Sequence, residues 1–227
     1  MIEPRARAVT QDLMEYITAS PTASHAVQVT RARLLAAGFK EIAEGDRWSL
    51  AEGDRFFVVR NDTALVAGEV GTRPPWEEGF RLIGAHTDSP GFRVKFNGRL
   101  QQESFRMLGV EVYGGPLLAT WADRDLGLAG RLLVRAESGE VETRLIHVAK
   151  PLCRIALPAI HLNREVNDKG LVLDKQKHLP PIYGVGGEEE LSDEPMLSYL
   201  AELADVDRHL IVGADLEIVD VQPPSFG

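Results

Sequence analysis

An α/β chain with a β-rich second unit is the fold class this sequence predicts. Apolar residues at helical spacing open the chain, short β-branched runs take over from Arg55, and strand-like segments follow Pro90 almost to the end. Its 227 residues, 44% of them hydrophobic, suffice for one large or two small domains with a real core.

The first helix is expected around Val9, Leu13, Met14 and Ile17, and a second through "SHAVQVTRARLLAAGF", with Ser24 near its start and Gly38 as its stop. "RFFVVR" and "ALVAGEV" read as a hairpin. The "NDT" between them, a match to a glycosylation sequon, is better explained as turn chemistry. After the loop "GTRPPWEEG", the run "FRLIGAH" is apolar without strict alternation, as in a strand covered on both faces, and places His86 at the strand's carboxyl end. Beyond Pro90 come "FRVKF", "RMLGVEVYG", "LAGRLLVR", "TRLIHVA", "LCRIAL" and "DLEIVDV", with a helix expected only at "DEPMLSYLAELA". "GEEELSDE" reads as a solvated, charge-rich connection, and "YGVGGEEE" does not satisfy a dinucleotide fingerprint.

Charge and cysteine content narrow the function classes. Twenty-five Lys and Arg against 34 Asp and Glu give a net charge of -9 with no basic block, so the protein's own field opposes a phosphate backbone, and no nucleic-acid partner is expected. Cys153 is the single cysteine, which rules out a disulfide framework or a thiolate metal cage and fits a reducing compartment. The N-terminus lacks the apolar core of a secretory signal and no apolar run reaches the roughly 18 residues of a membrane span, so no membrane partner is expected and the expected location is cytoplasmic.

The stretch "GAHTDSPGF" concentrates the chemistry. A neutral, correctly turned imidazole is a common zinc ligand, and a carboxylate two residues on can fix the ring and raise its basicity, so His86 is a candidate ligand and Asp88 its orienting partner. Pro90 keeps Ser89 out of the helical region. On its own the triplet is better explained as a histidine satisfied at a strand end, with Asp88 capping a turn. Asp123, Arg124 and Asp125 place acid and base side by side, and a salt-linked turn accounts for them. His25, His147, His178 and His209 are expected to be structural.

Several blocks then carry a family resemblance. "FRLIGAHTDSPGFRVK" resembles the segment bearing the first metal ligand in the aspartyl aminopeptidase family of dinuclear zinc exopeptidases. "SPTASHAVQVTRARLLAAGFKEI", "GVEVYGGPLLATWADRDLGLAGRL" and "LPAIHLNREVN" are similar to further family segments, in family order and across nearly the whole chain. In "TASHAV", Ser24 stands before His25 where the family carries an aromatic residue. The resemblance implies part of an α/β/α zinc-exopeptidase catalytic domain interrupted by a β-rich dimerisation domain: residues 1–92 catalytic, 93–219 dimerisation, 220–227 the return to the catalytic domain. It implies an aminopeptidase that removes N-terminal residues, typically acidic ones, from peptide substrates with two zinc ions, in a homo-oligomer built from dimers. His86 is then a zinc ligand, Asp88 its partner, and His161 a histidine that reaches the neighbouring subunit's active site to hydrogen-bond where charge develops.

In the family, a bridging aspartate, a general-base glutamate with its metal-binding neighbour, a further aspartate and a final histidine all come later than "LEIVDVQPPSFG", where this sequence ends. "EEE" at 188–190 lies in the inserted region and does not replace them. Because zinc sites take three or four protein ligands, the 227 residues are expected to lack most of the metal ligands and the general base, and to be inactive alone. The alternative is a non-catalytic truncated relative acting as an assembly or regulatory partner.

Overall fold

A computed structural model describes residues 3–186 and 195–226. The charge-rich connection "GEEELSDE", with the acidic run at 188–190, lies outside the described residues. The chain divides into two units, Met1–Ser89 with Pro224–Gly227, and Pro90–Pro223.

The first unit opens with α1 (Pro4–Ala19). Glu3 caps it by accepting the N–H groups of Arg5 and Ala6, and Pro4 sits in the first turn, where its missing N–H costs nothing. The predicted apolar positions Val9, Leu13 and Ile17 share the helix but are exposed, by 64, 53 and 51%. Helix α2 (Ala23–Ala36) follows, starting one residue before Ser24. Its first turn is buried, including Ser24, His25, Ala26 and Val27. His25 is satisfied there by Thr22, whose hydroxyl lies 2.8 Å from Nδ1. Tyr16 to Thr30 (2.9 Å) and Arg33 to Asp12 (2.9 Å) tie α2 to α1. Gly38, at φ 84°, ends the helical region in a conformation that favours glycine.

The expected hairpin is β2 (Arg55–Arg60) and β3 (Ala64–Glu69), antiparallel, with the two-residue β1 (Lys40–Glu41) parallel to β2 on the other side. Asn61 and Asp62 both adopt positive φ between the strands, the left-handed geometry that short polar side chains tolerate. Phe57 and Val58, on opposite faces of β2, are both buried. A one-turn helix, α3 (Pro75–Glu78), occupies part of the predicted loop.

The segment "FRLIGAH" corrects the sequence reading. Residues 79–86 form no strand, and Phe80, Leu82 and Ile83 are 77, 87 and 102% exposed. A strand exists only where a neighbour satisfies its backbone, and none of the described strands pairs with this run. Its composition suits burial on both faces, but burial needs polypeptide on both faces.

The second unit is a six-stranded antiparallel sheet in the order β7-β6-β9-β4-β5-β8. Its strands are β4 (Gly91–Gln102), β5 (Phe105–Tyr113), β6 (Leu126–Arg135), β7 (Val141–Cys153), β8 (Ile182–Val185) and β9 (Ile211–Asp220). "TRLIHVA" and the start of "LCRIAL" are one strand, β7, which tolerates Pro151 because it lies at the sheet edge. The sheet curls: past the end of β7, Arg154 exchanges two 2.9 Å backbone hydrogen bonds with Ile182 at the start of β8. Phe92, Leu126, Leu128, Leu132, Ile155 and Ile218 fill the interior. Helix α5 (Pro195–Ala204), between β8 and β9, adds Leu200 and Ala201; the one-turn α4 (Val166–Lys169) precedes β8. Strands β6 and β9 approach so closely at Gly130 (φ 146°) that a Cβ there would overlap the Asp215 carbonyl.

Candidate metal centre

The candidate site is built on the irregular segment after Ile83. Thr87 anchors it, donating its hydroxyl to the Thr63 carbonyl at 2.7 Å and so fastening the segment to the β2–β3 turn. On either side of Thr87, His86 and Asp88 face each other, as residues two apart on an extended chain do. His86 Nδ1 lies 2.8 Å from Asp88 Oδ1. The two side chains differ in setting: His86 is 89% exposed and Asp88 only 31%. An Nδ1–H donated to this carboxylate leaves the Nε2 lone pair on the open side of the ring. That is the tautomer and orientation a metal-binding histidine requires.

The chemistry of this pair fits zinc, which takes neutral imidazole nitrogen and carboxylate oxygen. No group of three or more His, Cys, Asp or Glu side chains able to hold a metal comes together among the described residues.

His161 belongs to the second unit. It sits in the 3-10 turn Ile160–Leu162, closed by the Leu162 N–H to the Ala159 carbonyl at 2.8 Å, and is exposed. The same long connection between β7 and β8 is stiffened at Asp174. Its carboxylate accepts the N–H groups of Lys177 and Gln176, which hold it below the usual carboxylate range. His178 closes that turn by accepting the Asp174 N–H at 2.9 Å.

The Asp123–Asp125 triplet is a salt-linked turn. Asp123 adopts φ 57° and donates its N–H to the Ile155 carbonyl at 2.8 Å. Arg124 reaches Asp220 at 2.6 Å and Gln222 at 3.2 Å, and Asp125 pairs with Arg154. These contacts tie the turn to the last residues of the second unit. Sequence reasoning overlooked Thr87, whose anchoring role depends on a turn 24 positions earlier and leaves no mark in local spacing. No helix among the described residues is long and apolar enough to cross a membrane.

The model of the family described as "Aminopeptidase I zinc metalloprotease (M18)" matches residues 16–227. A probable M18 family aminopeptidase 2 of Streptomyces coelicolor is 43% identical over 220 residues, covering 97% of this chain and 49% of the relative. One from Pseudomonas fluorescens is 42% identical over 217 residues, covering 95% and 50%. The chain thus spans about half the length of the curated relatives it matches. Among solved structures, Ape4 in its complex with Nbr1 superposes with a TM-score of 0.89 at 29% identity, over 98% of this chain and 46% of that one. The mApe1 dodecamer gives 0.77 at 28% identity, over 96% and 49%. The mixed α/β fold is that of these aminopeptidase structures. With its family model matched from Tyr16 onward and its relatives aligned along almost its whole length, the chain belongs to the M18 family of zinc metallo-aminopeptidases.

Proposed function

We propose that this chain is part of a zinc aminopeptidase that removes N-terminal residues, acidic ones among them, from peptides. The observation that carries the reading is the 2.8 Å contact between His86 and Asp88, which leaves the other ring nitrogen on an exposed face. His86 is the zinc ligand and Asp88 the carboxylate that holds its ring. When bound, a pair of zinc ions supplies Lewis acidity at the scissile carbonyl and lowers the pKa of water. The chain's own contribution is to hold one imidazole in the right tautomer and orientation.

The remaining donors belong to polypeptide that packs on the first unit. Phe80, Leu82 and Ile83, exposed beside His86 in sequence, offer an apolar surface for it. Residues 93–219 act as the dimerisation part of a homo-oligomer built from dimers, in keeping with the dodecamer of a similar protein. His161, on its exposed turn, reaches the substrate bound by a neighbouring subunit and donates a hydrogen bond where negative charge develops.

Two substitutions in the zinc-loaded, full-length protein test this reading. His86→Ala empties one zinc position and suppresses hydrolysis; full activity with both metals retained refutes the assignment. His161→Ala lowers kcat by about 10²-fold, the scale of one lost transition-state donor, while zinc content stays the same. Metal loss in that variant would place His161 in the metal sphere instead.

A further inference from the structure

We infer that the chain pairs with a second copy of itself along the free edge of β7, antiparallel and centred on Thr143. The inference rests on the homo-oligomer reading above and adds the surface and register. Among the described strands β7 ends the sheet order and over Val141–Ile146 is hydrogen-bonded to β6 alone, on one of its two edges. Natural sheets seldom leave a long edge bare, because its unpaired N–H and C=O groups are a template for another strand. Farther along, Lys150 lies 5.8 Å from the Tyr199 ring of α5, and Pro151 has no N–H to give. Val141–Arg144, by contrast, are exposed throughout, and Val141 shows 53% of its surface to solvent.

The segment Val141-Glu142-Thr143-Arg144-Leu145 complements its own reverse. In a two-fold pairing about Thr143, Glu142 faces Arg144 of the second copy and Arg144 faces Glu142, on one side of the ribbon. On the other side, Val141 meets Leu145 and Thr143 meets Thr143. Both charges meet the opposite sign, and apolar meets apolar on the other face. Centring on Glu142 or Arg144 sets like against like, and centring on His147 sets Arg144 against Lys150. Within one chain Arg144 and Glu142 already lie 2.9 Å apart, both half exposed, so pairing exchanges an ion pair within the strand for two across it. A two-fold contact of this kind is closed, since each copy uses the same strand.

Sedimentation of charge-reversed chains tests the register. Glu142→Arg alone and Arg144→Glu alone each self-associate more weakly by about tenfold, because each places like charges opposite one another twice. An equal mixture of the two variants restores association, since the two arginines of one chain then face the two glutamates of the other. Restoration also shows that neither variant is misfolded. On oxidation, Thr143→Cys forms a covalent dimer and Ser138→Cys in the preceding turn does not. The native Cys153 stays out of this chemistry because it is buried and its thiol is pushed up to about 12. Dimers that persist without the Thr143→Cys crosslink, and charge variants that associate normally, overturn the inference while leaving the oligomer reading intact. A chain that stays monomeric at every concentration overturns both.

Discussion

The two units treat the same kinds of residue in opposite ways. Leu126, Leu128, Leu132 and Ile155 in the second unit are fully buried, whereas Phe80, Leu82 and Ile83 in the first stand almost fully in water. The second unit closes because its strands find one another within 134 consecutive positions, Pro90–Pro223, and because the sheet curls until Arg154 meets Ile182. The first unit has two long helices and a three-stranded sheet, and of its described apolar side chains it buries only Phe57, Val58, Ala26 and Val27. The candidate zinc ligand lies on the open unit, next to the run that has no cover.

The largest expected effect tests whether the second unit's core is the main source of stability. Leu132→Ala deletes a side chain with no solvent exposure, and should cost about 2–5 kcal/mol in denaturant unfolding, for lost transfer energy and a cavity. Leu82→Ala removes the same atoms from a side chain that is 87% exposed, and should change stability by no more than about 0.5 kcal/mol. Equal losses at the two sites would show that the run at 80–83 is packed in solution, and the contrast between the units would fall.

A glycine pair sharpens the same contrast. Gly130 lies where β6 and β9 touch, at φ 146°, with the Asp215 backbone in the space a methyl group would need. Gly130→Ala should therefore cost about 2–4 kcal/mol, because the atoms that must yield are backbone, paired across the sheet. Gly84, two residues before His86, has nothing within 4 Å of its ideal Cβ position. Gly84→Ala should leave the unfolding midpoint unchanged in this chain, and a destabilisation comparable with that of Gly130→Ala would place an unseen neighbour against the candidate site.

How far the sequence foretells these differences depends on the range of the interaction. The two opening helices, the hairpin and most strands of the second unit are legible because side-chain period is local: Val9, Leu13 and Ile17 mark a helix whether or not they are buried. The contact between His86 and Asp88 is legible for the same reason, since two residues on an extended chain bring side chains to one side. The insertion of β9 between β6 and β4 is not legible, because it joins Leu128 to Ile218 across 90 positions. Nor is the curl that seals the core, which depends on one bridge between Arg154 and Ile182. "FRLIGAH" fails differently. Its composition describes a covered strand correctly in kind, but whether a strand forms depends on a neighbour that composition cannot supply. His161 and its turn sit in the long connection between β7 and β8, where no period constrains the chain.

The smallest expected effect lies in the pH dependence of the second unit. His147, on β7, is an exposed residue, yet desolvation of its ring lowers its pKa by disfavouring the charged form. In the unfolded chain that histidine titrates near the ordinary value of about 6.5, so just below that pH the unfolded state binds more protons than the native one. Stability contributed by this residue is therefore complete above about pH 6.5 and is lost as pH falls through that value toward the lower native pKa. Urea midpoints measured from about pH 8 down to about pH 5.5 should decline more in the native sequence than in His147→Gln, with the two curves converging above about pH 7. The decline should appear in the transition of the unit that carries β7. If the two curves run parallel across the whole range, desolvation of this ring contributes nothing to the pH dependence of the second unit.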